Sequence, residues 1–325
     1  MKLEAAYRAA QDRNKGASSS ARSRRYRPVD ACSVTPRRSG TASGLLTVAL
    51  AAAAMLIGIP LSSAQSSGSP QVRTNLTSPS APDDTSALAE KFQNPIADLI
   101  SFPFQNNTNF NVGPNKGTQD ILNIQPVIPI HLNQDWNVIT RTILPLVWNP
   151  SYAPASVSPA GIEPTVFSAF FSPRNAGAIT WGVGPAVQIP TATSATLGSN
   201  VWGLGPAAVV VWHKHPWVTG ALVNNVFSLG GTTGHGGTQY SQLTIQPFAN
   251  YNFGHGWFVG SVPIITASWD TGGEKWTLPV GGQFGRLIMI GGKQPVNLLL
   301  GAYYNALRPQ GGGTWQLRTQ IAVIF

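Results

Sequence analysis

The chain ends in TWQLRTQIAVIF, Thr314 to Phe325. Side chains on a strand alternate between two faces. Trp315, Leu317, Thr319, Ile321, Val323 and Phe325 therefore share one face, and Gln316, Arg318 and Gln320 share the other. A strand that is apolar on one side, polar on the other and finished by an aromatic residue suits a closed barrel in a bilayer, with its apolar side outward. A strand of a soluble sandwich is the competing reading of this segment alone.

The other end of the chain favours the barrel. Arg22, Arg24, Arg25, Arg27, Arg37 and Arg38 precede the apolar run LLTVALAAAAMLIGI, Leu45 to Ile59, which is followed by Pro60 and by small residues at Ser62 and Ala64. A basic region, a short apolar run and a small-residue site make residues 1–64 a secretory signal peptide. The fifteen residues of the apolar run fall short of the roughly 20 that a spanning helix needs. Of the formal net charge of +9, +7 lies in residues 1–64 and +2 in the remainder. The basicity is thus a targeting feature and argues against a nucleic-acid partner, which would need a basic patch on the folded domain. The one cysteine, Cys32, also lies in the leader. The mature chain then has neither a disulfide framework nor a thiol nucleophile.

Residues 65–105 read as a flexible linker followed by a short helical periplasmic segment. Gln65 to Thr85 is rich in Ser, Pro, Thr and Asn, a composition that does not build a core. Leu88, Phe92, Ile96 and Leu99 recur at helical spacing, and Asn94-Pro95 interrupts them as a fresh cap with Pro at the first helical position. The expectation for 86–100 is two short helical turns or one kinked helix. It is read as a periplasmic extension packed near the barrel, with a plug beneath the lumen as the alternative.

From 106 to 325 the pattern is β-rich and reads as an all-β, antiparallel transmembrane barrel of twelve strands: 108–113, 119–131, 135–148, 162–172, 178–190, 201–212, 216–229, 240–252, 256–269, 275–289, 294–307 and 314–325. Connections after even-numbered strands are short, among them LNQD, SPRNAG and HKHP. Several after odd-numbered strands are long, among them NPSYAPASVSPAG and SLGGTTGHGGTQ. Short periplasmic turns alternating with longer outside loops are a property of outer-membrane barrels, and an even strand count leaves both ends in the periplasm.

Aromatic residues fall at the strand ends. Trp136, Trp181, Trp212, Trp217 and Trp257 are assigned to a periplasmic girdle, with Phe325 at the chain end. Trp148, Trp202, Trp269, Trp276 and Trp315 are assigned to an outer girdle. Trp136/Trp148 and Trp257/Trp269 are each twelve residues apart, which is roughly 28 Å along the membrane normal at a 45° tilt, against an apolar band of about 25 Å. On the inner faces the pattern places Asn123, Gln125, Asn137, Arg141, Gln246, Asn250, Gln316, Arg318 and Gln320 as pore-lining residues. Alternation weakens at Val209–Val211, Ile288–Ile290 and Leu298–Leu300. There a partly apolar inner face means lumen packing or a path for an apolar solute.

The segments NPIADLISFPFQNN (94–107), NFNVGPNKGTQDILNIQPVIP (109–129), WNVITRTILPLVW (136–148), WGVGPAVQIPTAT (181–193), WGLGPAAVVV (202–211), QPFANYNF (246–253) and KQPVNLLLGAYYNALRP (293–309) resemble a proteobacterial outer-membrane barrel family labelled transporter-like. It is similar to barrels associated with phenol-degradation pathways. Members sometimes carry a "neuromedin U" label, for which this chain offers no support. The terminal Phe325 also resembles the last residue of the C-terminal strand of such barrels. The resemblance covers about residues 90–325 and implies an outer-membrane location, lipid and the barrel-assembly machinery as partners (the latter through the C-terminal strand), and passage of a small solute. It carries no functional residues with it.

No cofactor, metal or catalytic residue is assigned. His213-Lys214-His215 reads as a solvated turn, with no Cys or carboxylate near in sequence to complete a metal site. The repeated WGxGPA at 181–186 and 202–207 lacks the Lys and the strand-to-helix setting of a phosphate loop; its Gly and Pro shape the strands. Three classes of function stand: a passive channel for a small, apolar or anionic solute; a structural or adhesive barrel with a closed lumen; and a lipid-facing hydrolase, which needs a nucleophile, a His and an orienting partner at one rim.

Cleavage after Ala64 is expected, leaving Gln65 as the first residue of the mature protein. N-terminal sequencing of outer-membrane material checks it, and retention of residues 45–59 refutes it.

Overall fold

The computed structural model describes residues 84–151, 159–175, 177–230, 239–270 and 273–325; the leader and the linker up to residue 83 lie outside them. One helix, α1 (Asp84–Phe92), precedes fifteen strand segments: β1 (Ser101–Val112), β2 (Gly117–Ile124), β3 (Val127–His131), β4 (Trp136–Trp148), β5 (Ala160–Ile162), β6 (Thr165–Pro173), β7 (Ile179–Ile189), β8 (Gly203–Lys214), β9 (Trp217–Ser228), β10 (Ser241–Gly254), β11 (Trp257–Ser261), β12 (Ile265–Ser268), β13 (Trp276–Ile290), β14 (Gln294–Leu307) and β15 (Trp315–Ile324). They form twelve staves, because β2/β3, β5/β6 and β11/β12 are each one stave interrupted once. All pairings are antiparallel between neighbours. The ring closes where β1 meets β15, from Ser101↔Ile324 to Phe110↔Trp315.

The three interruptions share a cause. Pro126, Pro164 and Pro263 stand in the gaps, and proline has no N–H to give to a ladder. The sequence reading ran strands straight through these positions. It also started the first strand at 108 and the barrel at 106, whereas β1 begins at Ser101. The missed residues obey the alternation: Ser101, Pro103 and Gln105 turn inward, while Phe102 and Phe104 are the more exposed.

The repeated WGxGPA has a steric explanation. A side chain at Gly184 would collide with the carbonyl of Ala169, and one at Gly205 with the carbonyl of Asn225. Each glycine sits where the neighbouring backbone comes unusually close, and the proline after it interrupts the ladder. Register is kept on both sides, from Ser168↔Ala186 to Phe171↔Val183 and from Leu204↔Phe227 to Ala207↔Asn224.

The outer wall is apolar and exposed, as at Phe104, Phe110, Val210, Phe284 and Ile321. The tryptophans lie in two belts. Trp136 meets Trp181 edge-on at one end of the barrel, and Trp269 meets Trp276 edge-on at the other. Arg286 lies over the Trp257 ring at 4.9 Å, where a guanidinium on the outer wall reaches the interface along an aromatic face. Inside, the lumen has two characters. Val209, Val211, Val218, Leu222 and Phe248 pack into one buried apolar cluster. Gln105, Asn107, Asn109, Asn123, Asn297 and Arg318 are buried on the opposite arc, around the β1/β15 closure.

Leu144 stands on the outer face of β4, and Gln246 turns into the lumen from β10. Leu144→Arg is expected to impair assembly by roughly 2–4 kcal/mol, the cost of a cation facing lipid near the midplane, and Gln246→Arg much less. Heat-dependent gel mobility of the folded barrel reads both; equal sensitivity would mean that the assigned faces are wrong.

Candidate functional site

The segment ahead of β1 enters the barrel. In α1 the side chains of Leu88 and Phe92, one turn apart, share a face and pack with Ala89 against Leu287 and Ile324 at the periplasmic end. Lys91 in the last turn complements the helix dipole. The helix stops at Phe92. Asn94 Oδ1 accepts the backbone N–H of Ile96 at 3.0 Å, a local turn that replaces the second helical turn expected over 95–100. The chain then runs inward, and Ile96, only 3 % exposed, joins the apolar cluster of Val218, Leu222 and Phe248. The segment is therefore a plug across the periplasmic mouth, not an extension packed beside the barrel.

Four polar residues of the plug bond to the rim. Glu90, 6 % exposed, receives His213 Nε2 at 2.7 Å and His215 Nδ1 at 2.6 Å, one on each carboxylate oxygen. Gln93 Nε2 donates to Asn252 Oδ1 at 2.7 Å. Asp98 meets His131 Nε2 at 2.8 Å. The backbone N–H of Gly256 reaches Ser86 Oγ at 3.3 Å. Gly256 has a positive φ of 73°, and a side chain there would strike the Leu287 carbonyl. His213 and His215 are thus not a merely solvated turn: they are the partners of a buried carboxylate 125 residues upstream of His215, which no local pattern could announce.

Above the plug lies a cavity of about 140 Å³. Phe92, Leu99, Leu222, Phe248, Phe258 and Leu299 supply apolar wall, and Arg141, Arg318, Gln125, Gln246, Gln283 and Gln320 supply polar wall. Arg318 is 2 % exposed. Its Nη1 donates to the Val262 carbonyl at 2.7 Å, its Nη2 to Gln316 Oε1 at 3.2 Å and its Nε to Asn107 Oδ1 at 3.3 Å. Its guanidinium stands 4.6 Å over the Tyr303 ring, and Tyr303 in turn donates to Gln283 Oε1 at 3.0 Å. Arg141 donates to Gln125 Oε1 at 2.9 Å. Among the described residues no carboxylate pairs with either arginine. Glu163, Asp120 and Asp135 are absent from the cavity wall. Asp120 bonds to Thr108 and Asn106, whose side chains leave the inner row of β1.

Of the nine inner-face residues read from the sequence, Arg141, Arg318, Gln125, Gln246, Asn250 and Gln320 line the cavity. Gln316 lies beside it through Arg318. Asn123 and Asn137 are buried in the lumen wall away from it. Sequence reasoning missed Asn297, which is fully buried, lines the same cavity, and has no protein partner for either atom of its amide. Its setting in NLLL, an apolar run, concealed it.

No family model and no curated protein matches the chain. Solved structures do. A COG4313 outer membrane channel from Pseudomonas putida F1 superposes with a TM-score of 0.50 at 14% identity, covering 70% of this chain and 94% of that one. The fold is that of an outer-membrane barrel. Outer membrane phospholipase A from Escherichia coli (TM-score 0.37, 12% identity, 70% of this chain and 95% of that one) and the Salmonella typhi outer membrane phospholipase dimer with bound calcium (TM-score 0.36, 13% identity, 74% and 96%) are more distant likenesses. The twelve-stranded closed barrel with an apolar outer wall is of the kind found in the bacterial outer membrane.

Removing one partner of a buried charged hydrogen bond costs about 1–3 kcal/mol. Glu90→Ala is therefore expected to shift the plug toward release by roughly 5- to 150-fold. Limited proteolysis between residues 84 and 98 of the purified barrel reads this, and unchanged cleavage would show that the contacts of Glu90 do not hold the plug.

Proposed function

We propose that the protein is a passive outer-membrane channel for a small solute, apolar or anionic in character, whose lumen is gated by the segment 84–98. The observation that carries this reading is a lumen that contains a cavity lined by Arg141 and the buried Arg318, neither with a carboxylate partner among the described residues. A barrel that served only as a wall or an adhesin would gain from filling that space, because unpaired buried charge is expensive. The plug is held both by apolar packing of Leu88, Ala89, Phe92 and Ile96 and by polar contacts at the rim, and the latter are bonds that water can replace when the element is released. A lipid-facing hydrolase is the less favoured reading: histidines 131, 213 and 215 are bonded to Asp98 and Glu90 of the segment ahead of β1 rather than to a hydroxyl nucleophile. We therefore read the protein as a non-enzyme, without cofactor or metal. The remaining partners we propose are outer-membrane lipid and the assembly machinery that receives the C-terminal strand.

In planar bilayers the intact protein should show small conductance, and a variant lacking residues 66–98 should show several-fold larger conductance. The deletion stops before Ser101 so that β1 and its pairing with β15 survive. Rings of Arg and Lys favour anions, so reversal potentials in a salt gradient should indicate weak anion selectivity that falls in the Arg141→Gln/Arg318→Gln double variant. A cation-selective pore, or no conductance with the plug removed, would refute the reading.

A further inference from the structure

The cavity above the plug joins two walls of opposite chemistry. On the polar side stand Arg141 and Arg318. A guanidinium has five N–H donors; Arg318 places three of them on protein acceptors, and Arg141 places one on Gln125. The Asn297 amide is fully buried and the Asn250 side chain 3 % exposed; neither the Asn297 nitrogen nor its oxygen has a protein partner, nor does the Asn250 oxygen, and both residues line the cavity. Buried polar groups left unpaired cost free energy, as do buried charges. A cavity that carries both sorts of unmet demand is shaped to receive a polar group that accepts hydrogen bonds and bears negative charge. No Asp, Glu or Lys lines it, so its only formal charges are the two cations.

The facing wall limits what the rest of such a ligand can be. Phe92, Leu99, Leu222, Phe248 and Phe258 offer no hydrogen bonds. A small hydrated dianion would have to shed its water against them, which is unfavourable. An apolar body would instead be drawn there. The volume of about 140 Å³ is close to the roughly 150 Å³ of a cavity known to accept benzene. It therefore holds one ring or a short acyl chain.

From these complementary walls we infer that the chamber is a binding site for small amphipathic monocarboxylates, a single carboxylate carried on an aromatic ring or short acyl chain. This rests on, and deepens, the channel reading. The carboxylate lies against Arg141 and Arg318, which suit planar two-point recognition, with the Asn297 amide nitrogen as a further donor. The apolar body lies against Phe248 and Phe258 and against Phe92 of the plug. Because Phe92 belongs to the plug, an occupied chamber and a seated plug share one surface.

Isothermal titration of benzoate into the detergent-solubilised full-length barrel tests this. Benzamide supplies the neutral counterpart of the same shape, and acetate the same charge without the ring. Saturable benzoate binding is expected, with benzamide and acetate each weaker by roughly tenfold or more, the loss of one charged hydrogen bond or of the ring's burial. Arg141→Gln should weaken benzoate by roughly tenfold, as should Asn297→Leu to a smaller degree. Arg286→Gln, on the outer wall, should leave it unchanged. Arg318→Gln is added only if its heat-shifted gel band shows a folded barrel, so the inference does not depend on it. Benzamide binding as tightly as benzoate, or benzoate indifferent to both Arg141→Gln and Asn297→Leu, overturns the inference. A barrel that conducts ions but does not bind benzoate overturns the inference and leaves the channel standing. One that binds benzoate yet never conducts supports it and sinks the channel.

Discussion

A backbone crossing hydrocarbon has no water to bond to, so each N–H and C=O must find a partner within the protein. The antiparallel join of β1 to β15 satisfies that demand by leaving the sheet without an edge. The rest follows from it. A closed wall must show lipid one face and the lumen the other, so every stave alternates. Proline, which gives no N–H to the ladder, stands at the breaks of three staves, at Pro126, Pro164 and Pro263, and beside a closely packed glycine at Gly184-Pro185 and Gly205-Pro206, while Pro103, Pro145 and Pro247 are carried within unbroken strands. A lumen so enclosed is also the one place in the membrane where arginine, asparagine and glutamine can be carried without facing lipid.

The period-two pattern is why the architecture was legible before any coordinates. In the last strand Arg318 is flanked by Leu317 and Thr319, and only one face can be polar. The spacing of the tryptophans at strand ends pointed the same way. What misled was local chemistry that imitates a boundary. SFPFQNN holds a proline and three side-chain amides in seven residues, so the barrel was read as beginning at 106 and its first strand at 108. The helical spacing of Leu88, Phe92, Ile96 and Leu99 was real as a spacing of buried positions. Only the first half is helical, because the Asn94 side chain bonds to the backbone of Ile96 and diverts the chain.

The candidate site was half visible for the same reason. A strand pattern tells which residues look inward, and it picked out Arg141, Arg318, Gln246 and Gln320. It cannot tell which inward residues from distant staves share one space, since that depends on how far each stave is staggered round the ring. Nor can it foresee contacts such as Glu90 with His213 and His215, where a buried acid on a helix meets a turn from the far side of the chain. Asn297 was hidden by apolar neighbours that turn out to be shared between lipid, through Leu298 and Leu300, and lumen, through Leu299. The result is a plug and a cavity that must be considered together, because Phe92, Gln93 and Ala97 belong to both.

The central claim is that the segment ahead of β1 closes the lumen and can leave it. Cys32 is the one cysteine of the sequence, so in a Cys32→Ser background cysteines placed at Gln93 and Asn252, whose side chains meet at 2.7 Å, can be joined by a short cleavable thiol-to-thiol linker without interference. Single-channel recording before linking, after linking and after cleavage is the most direct measurement. A gating plug predicts that linking abolishes the larger conductance steps and that cleavage restores them. Conductance indifferent to the linker would contradict it.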